Sequence, residues 1–193
     1  MYIHAMRKRI WLFLIVACIL TLIGIRFFGS WWKLLTPSLL FSQDTQMKIT
    51  SDFIDNGLLP PVYTCDGDGR FPTLKVKDIP AGVKTLALVV DDPDAPSGVR
   101  DHLLLANIPL TEDPYVVISQ DSFNLWVLGQ NGWWEQAWWA PCPPSGTHRY
   151  IFKLYALSQK LEISSGFSKE RLIELMWGKI VGQTQIVSLY KRQ

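Results

Sequence analysis

The chain has few of the residues from which catalytic and metal sites are built. Its 193 residues contain three cysteines and three histidines, His4, His102 and His148. There is no Cys-x-x-Cys pair and no His-Glu-x-x-His, so a zinc site has no ligand set with the usual spacing. A serine hydrolase needs a Gly-x-Ser-x-Gly elbow, which is missing, and Ser97 and Ser145 read as turn residues. Glycine-rich nucleotide loops are absent as well. The run Asp66-Gly67-Asp68-Gly69 starts like a calcium loop but meets Arg70 at the third ligand position, and no bidentate Glu follows, so it reads as a tight turn. Charge of one sign is also scarce. The formal net charge is +2, and Arg7, Lys8 and Arg9 stand together ahead of an apolar run. The remainder is near neutral and gives no electrostatic footprint for nucleic acid.

What is present is hydrophobic and aromatic: 48% apolar residues, enough for one well-filled core, and nine tryptophans. Five of these, Trp126, Trp133, Trp134, Trp138 and Trp139, fall in one short stretch that reads as core packing or a loop lid. Near the start, Ile10 to Ile25 carries no charge and follows the basic triplet. A signal anchor in residues 1–33 is the reading this favours, with Trp31, Trp32 and Lys33 as an interfacial belt and everything downstream on the extracytoplasmic side. Three alternatives stay open: a lipoprotein modified at Cys18, because Ile15-Val16-Ala17-Cys18 has the form of a lipobox, a removed secretory signal, and a cytoplasmic product.

Residues 34–46 suit a linker, and 47–193 a single folded domain. Apolar and β-branched segments recur between Gly, Pro and Asp clusters at 48–51, 73–76, 86–90, 102–108, 150–157 and 185–190. This spacing predicts a mostly β fold, an antiparallel Greek-key-like β-sandwich. Thr73 to Val76 alternates as a half-exposed strand does, whereas Leu86 to Val90 is apolar throughout and belongs in the centre of a sheet. One late helix is predicted, capped by Ser168, with Glu170 in its first turn and a stripe of Leu172, Ile173, Leu175, Met176 and Ile180.

Three segments ask for a role beyond packing. Asp91-Asp92-Pro93-Asp94-Ala95-Pro96 forms a stiff acidic loop after the central strand, since proline cannot continue a ladder. Asp101-His102 opens the strand Leu103 to Ile108. Pro141-Cys142-Pro143-Pro144-Ser145-Gly146-Thr147 delivers His148, Arg149 and Tyr150 to the entry of another strand. A single such histidine is most simply structural; two of them and an aspartate, all at strand entrances beside proline turns, suggest a site.

These motifs, together with the opening YTCDGDGRFPTLKVKDIPAGVKTLALVV, resemble the phosphatidylethanolamine-binding protein family in its bacterial branch, over roughly Met47 to Tyr190. The resemblance implies a small pocket for phosphate, acetate or a phospholipid headgroup, lined by Asp92, Pro96, His102, Pro143, His148 and Tyr150, with no cofactor. It implies a binding module rather than an enzyme. A second function, inhibition of a protease or kinase through the pocket and the Trp-rich stretch, follows from members that restrain such proteins; an uncharacterised hydrolase using Asp92 and His148 ranks below both. Asp94 and Arg149 are read as a brace between two loops. No Lys or Arg within the motifs is read as part of the pocket. The chain departs from the family pattern at Asn131-Gly132-Trp133-Trp134 and Ala137-Trp138-Trp139-Ala140, where bulky residues can narrow the pocket or rim it, and at Leu103 and Gly178-Lys179. Cys65 and Cys142 lie in loops beside the site motifs; outside the cytoplasm a disulfide between them competes with two free thiols.

Overall fold

The computed structural model describes residues 46–192, which lie within one compact unit. Nine strands, one α-helix and two short 3-10 turns make up this region. In chain order the strands are β1 (Lys48–Ser51), β2 (Gly57–Leu58), β3 (Leu74–Lys77), β4 (Thr85–Asp92), β5 (Arg100–Ile108), β6 (Val116–Ile118), β7 (Val127–Leu128), β8 (His148–Leu157) and β9 (Ile180–Tyr190); α1 spans Lys169–Met176. A three-stranded sheet, β1-β3-β6, faces a six-stranded sheet ordered β2-β9-β8-β4-β5-β7. The pairings are antiparallel except β2 with β9, which runs parallel.

Side-chain alternation decides where each strand lies. In β3, Leu74 and Val76 are fully buried while Lys75 and Lys77 face solvent, as in a strand covered on one side. Every residue of β4 is buried, because both faces of the large sheet are covered at its centre. Leu86, Leu88 and Val90 join the sandwich core with Leu103, Leu105, Phe152 and Leu154. Ala87 and Val89 point the other way and pack with Leu104, Ala106, Leu172 and Met176 beneath α1. Burial of a Leu or Phe side chain contributes about 1.5–3 kcal/mol, so these two clusters hold the sandwich together and fix the strand ends that carry the site.

Ser168 caps α1, its Oγ accepting the N–H of Arg171 at 3.3 Å. The helix stops at Met176 as the chain reaches Gly178, whose φ of 71° is a left-handed conformation that terminates helices. Ile180 therefore opens β9 instead of extending the helical stripe, and Ile173 is half exposed.

The expected fold class is corrected at its N-terminal end. Among the described residues no helix is long and apolar enough to cross a membrane; the charge-free run Ile10 to Ile25 and the Cys18 lipobox lie outside the described residues. The described architecture is a mostly β sandwich with one late helix.

On the α1 side of the large sheet, Asp91 and Asp101 are direct cross-strand partners. Two like charges there would push the strands apart. Lys169 prevents this, its Nζ lying 3.0 Å from Asp91 and 2.6 Å from Asp101, and Lys153 adds a second bond to Asp91 at 2.8 Å. Asp91 is fully buried, and its Oδ1 has no partner among the described residues. Burial lifts the Asp101 carboxyl above its usual range against the pull of Lys169. Lys169→Met should lower stability by about 2–4 kcal/mol, toward the lower end for a broken buried pair because the lysine keeps some exposure. Urea unfolding measures this, and an unchanged midpoint would contradict the account.

Candidate functional site

The end of β4, the start of β5 and the start of β8 come together at one edge of the sandwich, and the site occupies the cavity between them. It measures about 180 Å³ and is lined by Asp92, Pro96, Ser97, Arg100, His102, Trp133, Trp139, Cys142, Pro143, His148 and Tyr150, among others. All six residues expected from the motifs are in this lining. A larger open groove of about 610 Å³ beside β1, β8 and β9 is lined by Lys48, Gln183, Thr184 and Gln185. None of the buried, unpartnered polar atoms of the described residues belongs to that groove.

Asp92 sits in the last position of β4 at 3% exposure, and His148 opens β8 at 6%. The Nδ1–H of His148 donates to Asp92 Oδ2 at 2.7 Å, and the other carboxylate oxygen accepts the backbone N–H of Asp94 at 2.8 Å. Both oxygens of this buried acid are thus satisfied. The cost of desolvating the carboxylate is offset by bonds it makes to its own loop and to β8.

His102 is similarly oriented. Its Nδ1 lies 2.6 Å from the carbonyl oxygen of Trp139, and a carbonyl only accepts, so the proton is on Nδ1. Burial pulls the His102 pKa below the ordinary value, against the opposing influence of the Trp139 carbonyl and the Asp92 charge. Tyr150 is fully buried, and its hydroxyl has no partner among the described residues. Burial first, and then the neighbouring Asp92 carboxylate through its charge and a side-chain contact that falls short of hydrogen-bond geometry, push its pKa far above the usual phenol value, so the hydroxyl keeps its proton and can donate.

The loops are held by their own contacts. Asp94 accepts from the backbone N–H, Nε and NH2 of Arg149 at 2.9, 2.8 and 2.6 Å, the expected brace between the acidic loop and β8. Cys65 and Cys142 form a disulfide with Cα atoms 5.4 Å apart, tying the Asp66 turn to the proline turn. Asn131 knits the Trp-rich segment: its amide donates to Ala137 O at 3.0 Å, and its Oδ1 accepts from the N–H groups of Trp133 and Glu135.

The tryptophans divide into three roles. Trp138 is core, packed on Phe71 and Phe152, with Nε1 donating to Gly69 O. Trp133 and Trp139 stack at 4.5 Å with 14° between their planes and form a wall of the cavity. Trp134 is 78% exposed. The His102 ring meets Trp133 and Tyr150 edge-on at 5.2 and 5.1 Å.

One charged residue in the lining was not expected from the motifs. Arg100 reaches across the cavity rim, NH1 donating to Gly132 O at 2.8 Å and NH2 to Ser97 Oγ at 2.7 Å, with the guanidinium 5.5 Å from the Trp133 ring centre. The signal in the sequence was Gly132 directly before Trp133, but the contact spans 32 residues and no local pattern announces it.

Comparison with known proteins agrees with this architecture. Residues 49–191 match the phosphatidylethanolamine-binding protein family. The chain belongs to that family. A UPF0098 protein of Methanothermobacter thermautotrophicus is 41% identical over 146 residues, 74% of this chain and 97% of the relative. The crystal structure of a phosphatidylethanolamine-binding protein homologue from Chlamydia trachomatis superposes with a TM-score of 0.72 at 32% identity, covering 77% of this chain and 99% of the other. Escherichia coli YbcL, described as a new member of the mammalian family, gives 0.67 at 27% identity over the same shares. Relatives are thus both archaeal and bacterial, and membership assigns the domain a ligand-binding role in general terms.

The brace has a pH signature. Hydrogen bonds from the Arg149 side chain hold the Asp94 carboxyl at about 2, below its ordinary value of 3.8. The group is depressed in the folded state, so its contribution to stability is complete above about pH 4 and is lost as pH falls toward 2. Carbon-detected NMR should place the Asp94 midpoint near 2 in the wild type and closer to 4 in Arg149→Gln. A wild-type midpoint near 4 would contradict the brace.

Proposed function

We propose that the domain is a binding module whose pocket holds a small phosphate-like anion, free or as part of a phospholipid headgroup. The observation that carries this reading is the set of polar groups left over inside the cavity. The Nδ1 atoms of His102 and His148 are engaged, which leaves Nε2 of each ring, and the Tyr150 hydroxyl has no partner among the described residues. The one carboxylate in the lining, Asp92, already has both oxygens bonded. Groups that donate, or donate once protonated, therefore face a small space, and an oxyanion satisfies them. The name of the family supports a headgroup as one source of that anion.

Catalysis is not part of the proposal. An Asp–His pair can move a proton, but the lining offers no activated nucleophile for it to serve. A second reading, inhibition of a partner protein, is favoured by Trp134 alone, which stands 78% exposed on the segment that forms the pocket wall. The disulfide suits an oxidising compartment outside the cytoplasm.

Calorimetric titration of inorganic phosphate into the full chain tests the reading. Because Nδ1–H of His102 is engaged, its Nε2 donates only when that ring is doubly protonated, so phosphate should bind more tightly at pH 5.5 than at pH 8. His148→Ala should weaken binding at pH 5.5 by about 1.5–3 kcal/mol, the size of a charged hydrogen bond. It also leaves Asp92 Oδ2 unpartnered and should cost about 1–3 kcal/mol of stability, so a retained thermal transition accompanies the measurement. Unchanged phosphate affinity in a folded variant would overturn the site.

A further inference from the structure

Arg100 is built into the pocket more firmly than a surface arginine. Its stem lies directly over Gly132: a Cβ at that position would come within 2.1 Å of Arg100 Cδ and 3.0 Å of Cγ. The absence of a side chain at 132 is what lets the arginine lie there. Past the glycine, the Gly132 carbonyl, Ser97 Oγ and the Trp133 ring hold the guanidinium. Trp139 supports Trp133 from its own stacked position. A guanidinium carries five N–H donors; two are engaged, and the other three have no partner among the described residues.

We propose that Arg100 determines the specificity of this pocket: a permanent cation seated over Gly132 and against Trp133, it directs the site to phosphate monoesters in preference to diesters and keeps it competent at alkaline pH. The proposal rests on the reading of the cavity as a phosphate-like anion site and narrows its ligand class: of the two sources named there it favours the free monoester over an intact phospholipid, whose phosphate is a diester. A monoester carries three terminal oxygens and, above a second pKa of about 6, two negative charges. A diester keeps two terminal oxygens and one charge. Three free guanidinium donors, the Tyr150 hydroxyl and two imidazoles match the first better. The cavity of about 180 Å³ is small enough that an anion held in it sits against these groups.

The charged and titratable groups around Arg100 come from every neighbouring element. Asp92 on β4 is its cross-strand partner, but both oxygens of that acid are occupied. Asp101 and His102 follow it on β5, with Asp101 turned to Lys169 on the far side of the sheet. Asp94, from the acidic loop, is neutralised by Arg149. Glu135 lies exposed at the far end of the Asn131 turn, and His148 and Tyr150 complete the lining from β8. Burial foremost, with Arg100 adding to it, keeps His102 harder to protonate. At pH 8 the arginine is then the cation on which the anion depends.

Methyl phosphate and dimethyl phosphate differ only in the second ester, and calorimetry with each, at pH 5.5 and pH 8, tests the proposal on the full chain. At pH 8 the wild type should still bind methyl phosphate, at least about 10-fold more tightly than dimethyl phosphate. Arg100→Gln should lose about 10- to 100-fold in methyl phosphate affinity at pH 8, less at pH 5.5, and most of the monoester preference. Gly132→Ala keeps the charge but displaces the stem, and should reproduce the loss in part, which guards against a misfolded Arg100 variant. Wild-type affinity for methyl phosphate at pH 8 in both variants would overturn the role of Arg100 and leave the anion site standing, as would a wild type that prefers the diester. A wild type that binds neither probe at either pH overturns the anion reading and this proposal with it.

Discussion

A carboxylate with 3% exposure is tolerated at the end of β4 because His148 reaches it from β8 at 2.7 Å and the Asp94 N–H reaches it from its own loop. Leaving such a group unpaired in a dry interior costs several kcal/mol, so strand ends, acidic loop and imidazole are locked to one another. The consequence for the pocket is directional. With Nδ1 fixed on Asp92, the free nitrogen of His148 is Nε2, and the same logic applied to His102 and the Trp139 carbonyl leaves another free nitrogen in the same lining. Each part of the proposed chemistry depends on these two ring orientations.

Around this centre the chain spends its aromatic residues on rigidity. Trp138 closes the sandwich core, and the Trp133–Trp139 stack stiffens a wall that glycines would leave mobile. The Asp94–Arg149 brace and the Cys65–Cys142 disulfide pin the two loops that meet at the pocket. On the far face of the sheet, Lys169 screens Asp91 from Asp101, the neighbours in sequence of Asp92 and His102. A pocket held on both faces in this way is preorganised for a small ligand.

Much of this was legible in the sequence, for identifiable reasons. β3 shows in its alternation, β4 in its unbroken apolar run, and α1 in Ser168 and Glu170, because these signals are local. The two- and three-residue strands β2, β6 and β7 left no pattern, since they exist only through pairing with distant chain. Ile180 has the spacing of a helical stripe, yet Gly178 ends the helix before it is reached. The charge-free run ahead of Arg26 invited a membrane-spanning helix, and it lies outside the described residues. Proline turns marked Asp92, His102 and His148 as site candidates. Arg100 went unnoticed because its place depends on a missing Cβ at Gly132 and a ring at Trp133, a relation that no spacing within DDPDAPSGVRDH encodes.

The account turns on where the anion sits. A crystal of the domain grown with inorganic phosphate and read at high resolution measures that directly. The account predicts tetrahedral density inside the cavity, with oxygens at hydrogen-bond distance, about 2.6–3.1 Å, from Nε2 of His102, Nε2 of His148 and the Tyr150 hydroxyl. Phosphate bound elsewhere with this cavity holding only water, or a His148 ring turned away from Asp92, would contradict it.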